Sequence, residues 1–517
     1  MKLSTLIDDL KTRRKVMEII GSVDKKIKKI VYDSRQAEPG SLFVCIEGFK
    51  NDGHDYIDDA LSRGAVAVVV EKELSDYCQE LTYIQVADSR EALSLVAACF
   101  YDYPHQDVKL IGVTGTNGKT TTTYLLKGIF EEAGYNCGLM GTINIKIGNE
   151  EFAADRTTPE SLDIFRYLHM MKQENIDFVF MEVSSHALQL KRVAGMEFDG
   201  AIFTNISQDH LDFHSSLDDY AAIKSQLFQQ LMPQGKAAIN RDDSFAGMME
   251  KACNGEYYTF ALENNADYRA ENITLKARGS SFVIKRNNQK AMELKCRLNI
   301  SGLFNVYNAM GAAVCAFAFN ISGDKIVSGL EKIEGIPGRF ELVNLGQDFN
   351  VVVDYAHTPD GMENVLSTAS SLIEGRLLIV FGCGGDRDRE KRPLMGQIGV
   401  QYGDVCFITS DNPRSESPLQ IMEDIISGIE DEEINLSEEL SSEGRWERVD
   451  DNKNIDYKVI PDRRQAIIEA IRQANSGDMV MIIGKGHETY QIFDDRVIDF
   501  DDRQVSREAL NSLMAGE

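Results

Sequence analysis

Residues 109–123 read Lys-Leu-Ile-Gly-Val-Thr-Gly-Thr-Asn-Gly-Lys-Thr-Thr-Thr-Thr. An apolar strand enters this stretch. An amphipathic helix leaves it, with Leu125, Leu126, Ile129 and Phe130 spaced to form one apolar stripe. A strand–turn–helix of this kind aims backbone N–H groups and a helix N-terminus at an anion. Gly115, Thr116, Asn117, Gly118, Lys119, Thr120 and Thr121 are therefore the candidate ATP-binding residues. Lys119 would reach the β- and γ-phosphates, and Thr120 would ligate Mg²⁺. The strict G-x-x-x-x-G-K-[ST] pattern is missed, because Val113 occupies the first glycine position and Gly112 lies one residue early. A phosphate loop alone fits a switch GTPase, a motor, a kinase or a ligase. The absence of an Asn-Lys-x-Asp signature weakens the GTPase reading.

Working outward, Phe178-Val-Phe-Met-Glu182-Val-Ser-Ser-His186 reads as a buried strand ending in a carboxylate, well placed beside a phosphate loop to hold Mg²⁺. The next strand, Ala201-Ile-Phe-Thr-Asn-Ile206, leads to Asp209-His210-Leu-Asp212-Phe-His214. Three of the eight histidines follow these two strand ends. A zinc site is disfavoured, because no His-Glu-x-x-His and no nearby cysteines accompany them. Lys224 taken alone reads as a surface lysine on a helix carrying Ile223, Leu227 and Phe228.

The 517 residues exceed one core and suggest about three domains at ~150 residues each. β-branched runs alternating with amphipathic segments predict an α/β fold with mostly parallel sheets. The expected domains are 1–105, 106–335 and 336–517. Expected strands include Gly40–Ile46, Gly64–Val70, Phe349–Asp354, Arg376–Phe381, Val405–Thr409 and Met479–Ile483. A net charge of −27 argues against nucleic acid and anionic membranes as partners. Nine cysteines without regular spacing fit reduced thiols in the cytoplasm. Neither a signal peptide nor an apolar run of ~20 residues is visible. Residues Glu430–Asp451 carry ten acidic residues against two arginines and the one tryptophan, and read as a solvated insertion or loop.

TGTNGKTT, Thr157-Thr-Pro-Glu-Ser161, EVSSHAL, NISQDHLDFH, YAAIKSQLF, GLFNVYNAM, PGRFE, DYAHTPD and GCGGDRDREKRP occur together in this order. In this the chain resembles the Mur ligases of peptidoglycan synthesis, over its whole length apart from the acidic insertion. The resemblance implies three α/β domains: an N-terminal UDP-binding domain, a central P-loop ATPase-type domain, and a C-terminal Rossmann-like domain for the amino acid. It implies an ATP-dependent, amide-forming ligase acting through an acyl phosphate. The implied cofactors are ATP, two Mg²⁺ ions and CO₂ held as a lysine carbamate on Lys224. The implied metal ligands are Thr120 and Glu182 for one ion, His210 and Lys224 for the other. Asn305, Arg339, Asp354 and His357 are implied nucleotide contacts. Ser34, Thr157, Thr158, Ser184 and Arg192 are implied contacts of UDP-N-acetylmuramoyl-L-alanyl-D-glutamate. Arg387, Asp411, Asn412, Pro413, Arg414, Gly484 and Glu488 are implied contacts of the incoming amino acid.

Asp411-Asn-Pro-Arg414 is the pattern of family members that add meso-2,6-diaminopimelate rather than L-lysine. The chemistry agrees, because Arg414 can pair with a distal carboxylate that lysine lacks. Bound lysine would leave that arginine unpaired, at a cost of roughly 1–3 kcal/mol. The alternatives are the same ligase adding L-lysine, a folate polyglutamate ligase on the same scaffold, and a non-catalytic regulatory NTPase. A monomeric cytoplasmic enzyme using small-molecule substrates is expected.

Overall fold

The structure is a computed structural model that describes residues 1–48, 51–207, 214, 216–287, 293–430, 445–450 and 455–515. Three large sheets carry it, with five, eleven and seven strands. The first runs in the order Val16–Ile20, Thr82–Val86, Ala65–Val70, Ser41–Val44, Lys29–Val31 and is parallel except at the first pair. The expected strands at 40–46 and 64–70 fall here.

The eleven-stranded sheet has Lys109–Thr114 near its middle, between Phe198–Phe203 and Phe178–Glu182, both parallel to it. Parallel pairing continues through Cys137–Met140 on one side and Leu231–Asn240 to Tyr268–Lys276 on the other. Antiparallel strands close both edges. The strand expected at 201–206 lies instead at Phe198–Phe203. Asp199 enters it because its carboxylate accepts the Leu110 amide (2.9 Å). Thr204 and Asn205 leave it because they turn to bind the phosphate loop.

Helix Lys119–Glu132 covers this sheet, with Leu125, Leu126, Ile129 and Phe130 fully buried. At about 1.5–3 kcal/mol per buried large apolar side chain, this stripe anchors the helix on which the phosphate loop opens. Its close crossing with helix Gly323–Glu331 needs glycine at 329, where a Cβ would lie 2.5 Å from the Ile129 Cα.

The seven-stranded sheet has a parallel core in the order Asn350–Asp354, Met479–Ile483, Leu377–Phe381, Val405–Ile408, Ile455–Val459, with antiparallel strands at both edges. Residues 355–358, 382–390, 409–417 and 484–489 all leave the carboxyl ends of these strands, where open parallel sheets bind ligands. One expectation fails here. The end of the acidic stretch, Arg445–Asp450, whose two arginines balance its two carboxylates, is a strand paired antiparallel with Ile455–Val459 and not a loop. Residues 431–444 and 451, the remainder of that stretch beyond Glu430, lie outside the described residues.

Arg463 and Asp502, both 0% exposed, tie two helices to these carboxyl ends. Arg463 Nε and Nη2 donate to the two carboxylate oxygens (2.8 and 2.7 Å), and Nη2 also donates to the Ile483 carbonyl (3.0 Å). Removing one member of a buried pair costs about 3–5 kcal/mol. Asp502→Ala is expected to lower the urea midpoint of the C-terminal unit accordingly. Arg463→Met/Asp502→Leu should recover part of the loss, and an unchanged midpoint in the single variant contradicts the assignment.

Candidate active site

The phosphate loop depends on two glycines. Gly115 (φ 152°) leaves no room for a Cβ, which would meet Thr204 Oγ1 at 1.9 Å. At Gly118 (φ 87°), the residue capping helix Lys119–Glu132, a Cβ would meet Asn308 Oδ1 at 2.1 Å. The loop is held from the next strand by Asn205, whose carbonyl accepts the Thr116 amide (2.8 Å) and whose Oδ1 accepts the Asn117 amide (2.9 Å). Lys119 Nζ donates to the Gly115 and Thr116 carbonyls (2.9 and 2.8 Å). Thr120 and Thr121 follow in the first helical turn, whose N–H groups have no intrahelical acceptors.

Lys224, which the sequence alone would put on the surface, is 1% exposed. It donates to the Gly115 carbonyl (2.9 Å) and lies 4.3 Å from the Tyr220 ring centre. His210, the partner expected for Lys224, lies outside the described residues. His214 is described: its Nε2 is 3.1 Å from Ser185 Oγ, and its ring is 6.1 Å from that of His186. Among the described residues no three His, Cys, Asp or Glu side chains gather as a metal cluster.

Glu182 is 1% exposed and gathers several groups around one carboxylate. Its Oε2 accepts from Thr120 Oγ1 (3.0 Å) and Thr142 Oγ1 (2.9 Å), and its Oε1 accepts from the Thr142 amide (2.9 Å). Gly141 makes room for it, since a Cβ there would lie 2.2 Å from Oε1. A hydroxyl and a carboxylate converging at the mouth of a phosphate loop form a hard-oxygen donor pair suited to Mg²⁺. Thr157 Oγ1 lies 3.1 Å from Thr142 Oγ1. Thr158 Oγ1 donates to the Glu182 carbonyl (2.8 Å) and lies 3.2 Å from Ser184 Oγ. Arg192 reaches the Thr158 carbonyl (3.0 Å) and Glu160 (2.8 Å). These four expected substrate residues thus surround the Glu182 strand end. Ser34 does not join them. It is buried in the first sheet's unit, where its hydroxyl bonds Asp59.

Arg339 and Asp360 both make hydrogen bonds that cross between the second and third sheets. Arg339 Nη2 donates to Thr120 Oγ1 (3.1 Å), with its guanidinium over the Tyr355 ring (4.5 Å), and its buried Nε finds no hydrogen-bond partner among the described residues. Asp360 Oδ2 accepts from Asn117 Nδ2 (2.8 Å) and Ser207 Oγ (2.7 Å). Asp354, expected as a nucleotide contact, is buried. Its oxygens accept the Phe340 and Ala356 amides (2.6 and 2.7 Å), so it fixes the turn that carries Arg339, and burial raises its pKa. Asn305 is likewise turned inward, donating to the Ser301 carbonyl (2.6 Å) and accepting from Asn308. His357 is exposed, with Nδ1 2.9 Å from the Tyr355 carbonyl.

The third sheet's loops bring the expected amino-acid residues together. Arg414, at φ 53°, donates from Nη1 to the Gly385 carbonyl (2.8 Å), while its amide donates to the Ile492 carbonyl (3.1 Å). Pro413 precedes it, with its carbonyl packed so closely on Gly385 that a Cβ there would lie 1.8 Å away. Asn412 Nδ2 donates to Glu488 Oε2 (2.8 Å). Asp411 Oδ2 is buried without a partner among the described residues, against Gly484 (φ 116°), whose Cβ would lie 2.6 Å from it. Arg387 is exposed beside them, donating to the Asp386 carbonyl (3.0 Å). Beneath the loops, fully buried Arg392 pairs with Glu416 (2.9 Å) and Asp424 (2.7 Å). Glu416 also accepts the Asp386 amide (2.6 Å), which joins the 382–390 and 409–417 loops.

Sequence reasoning did not single out Thr142, Asp360, Arg392, Glu416 or Lys485. Asp360 lies within DYAHTPD, Arg392 within GCGGDRDREKRP and Lys485 within Gly484-Lys-Gly-His-Glu488, so these three had a signal.

A glycine-dependent phosphate cradle, a strand-end carboxylate beside it and a second sheet whose arginine reaches the same threonine define a P-loop nucleotide enzyme with a separate substrate-binding unit. Comparison with known proteins goes further. Residues 26–101 match the model of the Mur ligase family catalytic domain, 113–316 the Mur ligase middle domain, and 338–486 the Mur ligase glutamate ligase domain. The chain is 45% identical over 492 residues to the UDP-N-acetylmuramoyl-L-alanyl-D-glutamate–2,6-diaminopimelate ligase of Syntrophomonas wolfei subsp. wolfei, covering 95% of this chain and 96% of that one. It is 44% identical over 498 residues to the ligase of the same name from Bacillus velezensis, covering 95% of each. A solved structure of a ligase of this name superposes with a TM-score of 0.65 at 31% identity, covering 96% of this chain and 98% of the other. The chain belongs to the Mur ligase family.

Gly118→Ala combines a disfavoured φ with a clash on Asn308. It is expected to abolish nucleotide-dependent turnover while leaving the far-ultraviolet dichroism intact, and wild-type turnover would refute the cradle. The hydrogen bonds from Arg392 hold the Glu416 carboxyl down to about 2. Such a depressed carboxyl stabilises the fold above its unfolded pKa of about 4.3, and the contribution fades as pH falls toward 2. The melting temperature of Glu416→Gln should therefore lie below wild type at pH 7 and converge with it between about pH 4.3 and pH 2.

Proposed function

We propose that this chain is an ATP-dependent ligase that joins meso-2,6-diaminopimelate to the D-glutamate γ-carboxyl of UDP-N-acetylmuramoyl-L-alanyl-D-glutamate in peptidoglycan precursor synthesis. The observation that carries the reading is the loop cluster at the third sheet's carboxyl ends. There Arg414, the Asp411 Oδ2 that has no partner among the described residues, and Glu488 offer one cation and two anions to a substrate bearing carboxylates and ammoniums. The near-full-length likeness to relatives named for this reaction supports it.

In this reading the γ-carboxylate attacks the γ-phosphoryl group of ATP, giving an acyl phosphate and ADP. The amine of diaminopimelate then attacks that acyl carbon, and inorganic phosphate departs. The first step brings two anions together, so charge neutralisation dominates it. Lys119 and the phosphate-loop amides hold the phosphates. Arg339, tethered to Thr120 by one nitrogen, is placed to reach the transferred group. Thr120 and Glu182 would hold Mg²⁺, which would further neutralise phosphoryl oxygens. Lys224 as a carbamate, with His210, is the proposed donor set for a second ion. A carbamate N–H on Lys224 could keep the hydrogen bond to the Gly115 carbonyl, and its oxygens would supply the anionic ligands that an ammonium cannot. Thr157, Thr158, Ser184 and Arg192 are proposed to bind the UDP-sugar peptide near Glu182, with Ser34 at the uridine end.

The domain division proposed is 1–105, 106–335 and 336–517. Among the described residues no helix is long and apolar enough to cross a membrane. A monomeric cytoplasmic enzyme is proposed.

Phosphate release should require ATP, the UDP-dipeptide and an amino acid together, with diaminopimelate preferred over L-lysine by tenfold or more, about 1.4 kcal/mol. Comparable rates with lysine would overturn the specificity, and turnover without amide formation would overturn the ligase. Intact-protein mass measured at alkaline pH under CO₂ should show a carbamate on wild type that is absent from Lys224→Ala.

A further inference from the structure

Lys485 is a charged side chain with 0% exposure, and no role has yet been given to it. Its ammonium donates to Glu488 Oε2 (2.9 Å) and to Asn412 Oδ1 (3.1 Å). The same Asn412 sends its Nδ2 to the same Glu488 oxygen (2.8 Å), closing a triangle of three side chains. Asn412 Oδ1 also accepts the Ile492 amide (3.0 Å), which fixes the orientation of the carboxamide. Lys485 lies 5.6 Å from the Tyr490 ring centre, and its own carbonyl accepts the Glu488 amide (3.0 Å).

We propose that Lys485 is a positioning residue for the incoming amino acid, orienting Glu488 and Asn412 so that one oxygen of Glu488 is set aside for a substrate ammonium group. Two donors occupy Glu488 Oε2. No donor among the described residues takes Oε1, and the side chain is 14% exposed, so it reaches the surface of the loop cluster. A buried ammonium is retained only where hydrogen bonds and a counter-charge compensate its desolvation. Here both compensating groups are the ones assigned to substrate, so the lysine acts through them and not on the substrate itself. The inference rests on the function proposed above.

The test is steady-state kinetics of the full chain with diaminopimelate, ATP and the UDP-dipeptide each varied in turn. Lys485→Met is expected to raise KM for diaminopimelate by about tenfold or more, as for loss of a charge-assisted hydrogen bond. KM for ATP and for the UDP-dipeptide should stay within about twofold. Combined with Glu488→Gln, the lysine change should add no further loss, because both act through one oxygen. Where the methionine variant does not fold, Lys485→Gln, which keeps a donor, carries the same measurements. An unchanged KM for diaminopimelate, parallel rises in all three KM values, full multiplicativity with Glu488→Gln, or failure of both variants to fold each overturns the proposal. Wild-type enzyme that prefers another amino acid overturns the proposed function instead, and Lys485 is then judged on the KM of that amino acid.

Discussion

The hydroxyl of Thr120 is where the molecule's two catalytic halves meet. It donates to Glu182, at the end of a central strand, and accepts from Arg339, at the start of the third sheet's unit. An oxygen with one proton can satisfy both only if the two sheets present their carboxyl ends to each other. That requirement orders much else. Asp354 grips the Phe340 amide to hold the Arg339 turn, Thr142 grips Glu182, and Asp360 bridges to Asn117. The phosphate loop and the Arg414 loop cluster then lie at the carboxyl ends of two sheets, each with a parallel core.

Much of this was legible in the chain. The strand at Lys109–Thr114 and the helix after it follow from β-branched residues running into a glycine turn and an apolar stripe of period 3.6. Glu182 was readable because a carboxylate ending a wholly apolar run has few other uses. Lys224 was not. Its helix places Tyr220, Ile223, Leu227 and Phe228 inward, and a lysine beside such a stripe commonly lies along its edge. Its partner, the Gly115 carbonyl, is 109 residues away, a pairing no local pattern encodes. The inward turn of Asp354 and Asn305 was hidden for the same reason, since a polar residue that serves the backbone looks like one that serves a ligand.

The net charge of −27 also takes on a spatial meaning. An acidic surface repels phosphates and carboxylates, yet Lys119, Lys224, Arg192, Arg339 and Arg414 all lie at or near sheet carboxyl ends. The half-buried or buried setting of Arg192, Lys224 and Arg414 weakens solvent screening of each. Local cations in low-dielectric surroundings can dominate a distant surface charge, so composition excludes partners without identifying substrates.

Arg414 sits in the left-handed region at φ 53°, a conformation that costs a non-glycine residue on the order of 1 kcal/mol. Its amide bond to Ile492 and its guanidinium bond to Gly385 hold it there before any substrate arrives. The entropy of ordering this arginine is therefore charged to folding and not to association. In the proposed function a distal carboxylate would meet a guanidinium already confined, and selectivity among amino acids would be stored in the stability of the loop. Conditions that loosen that loop should erode discrimination before they erode the capacity to turn over ATP.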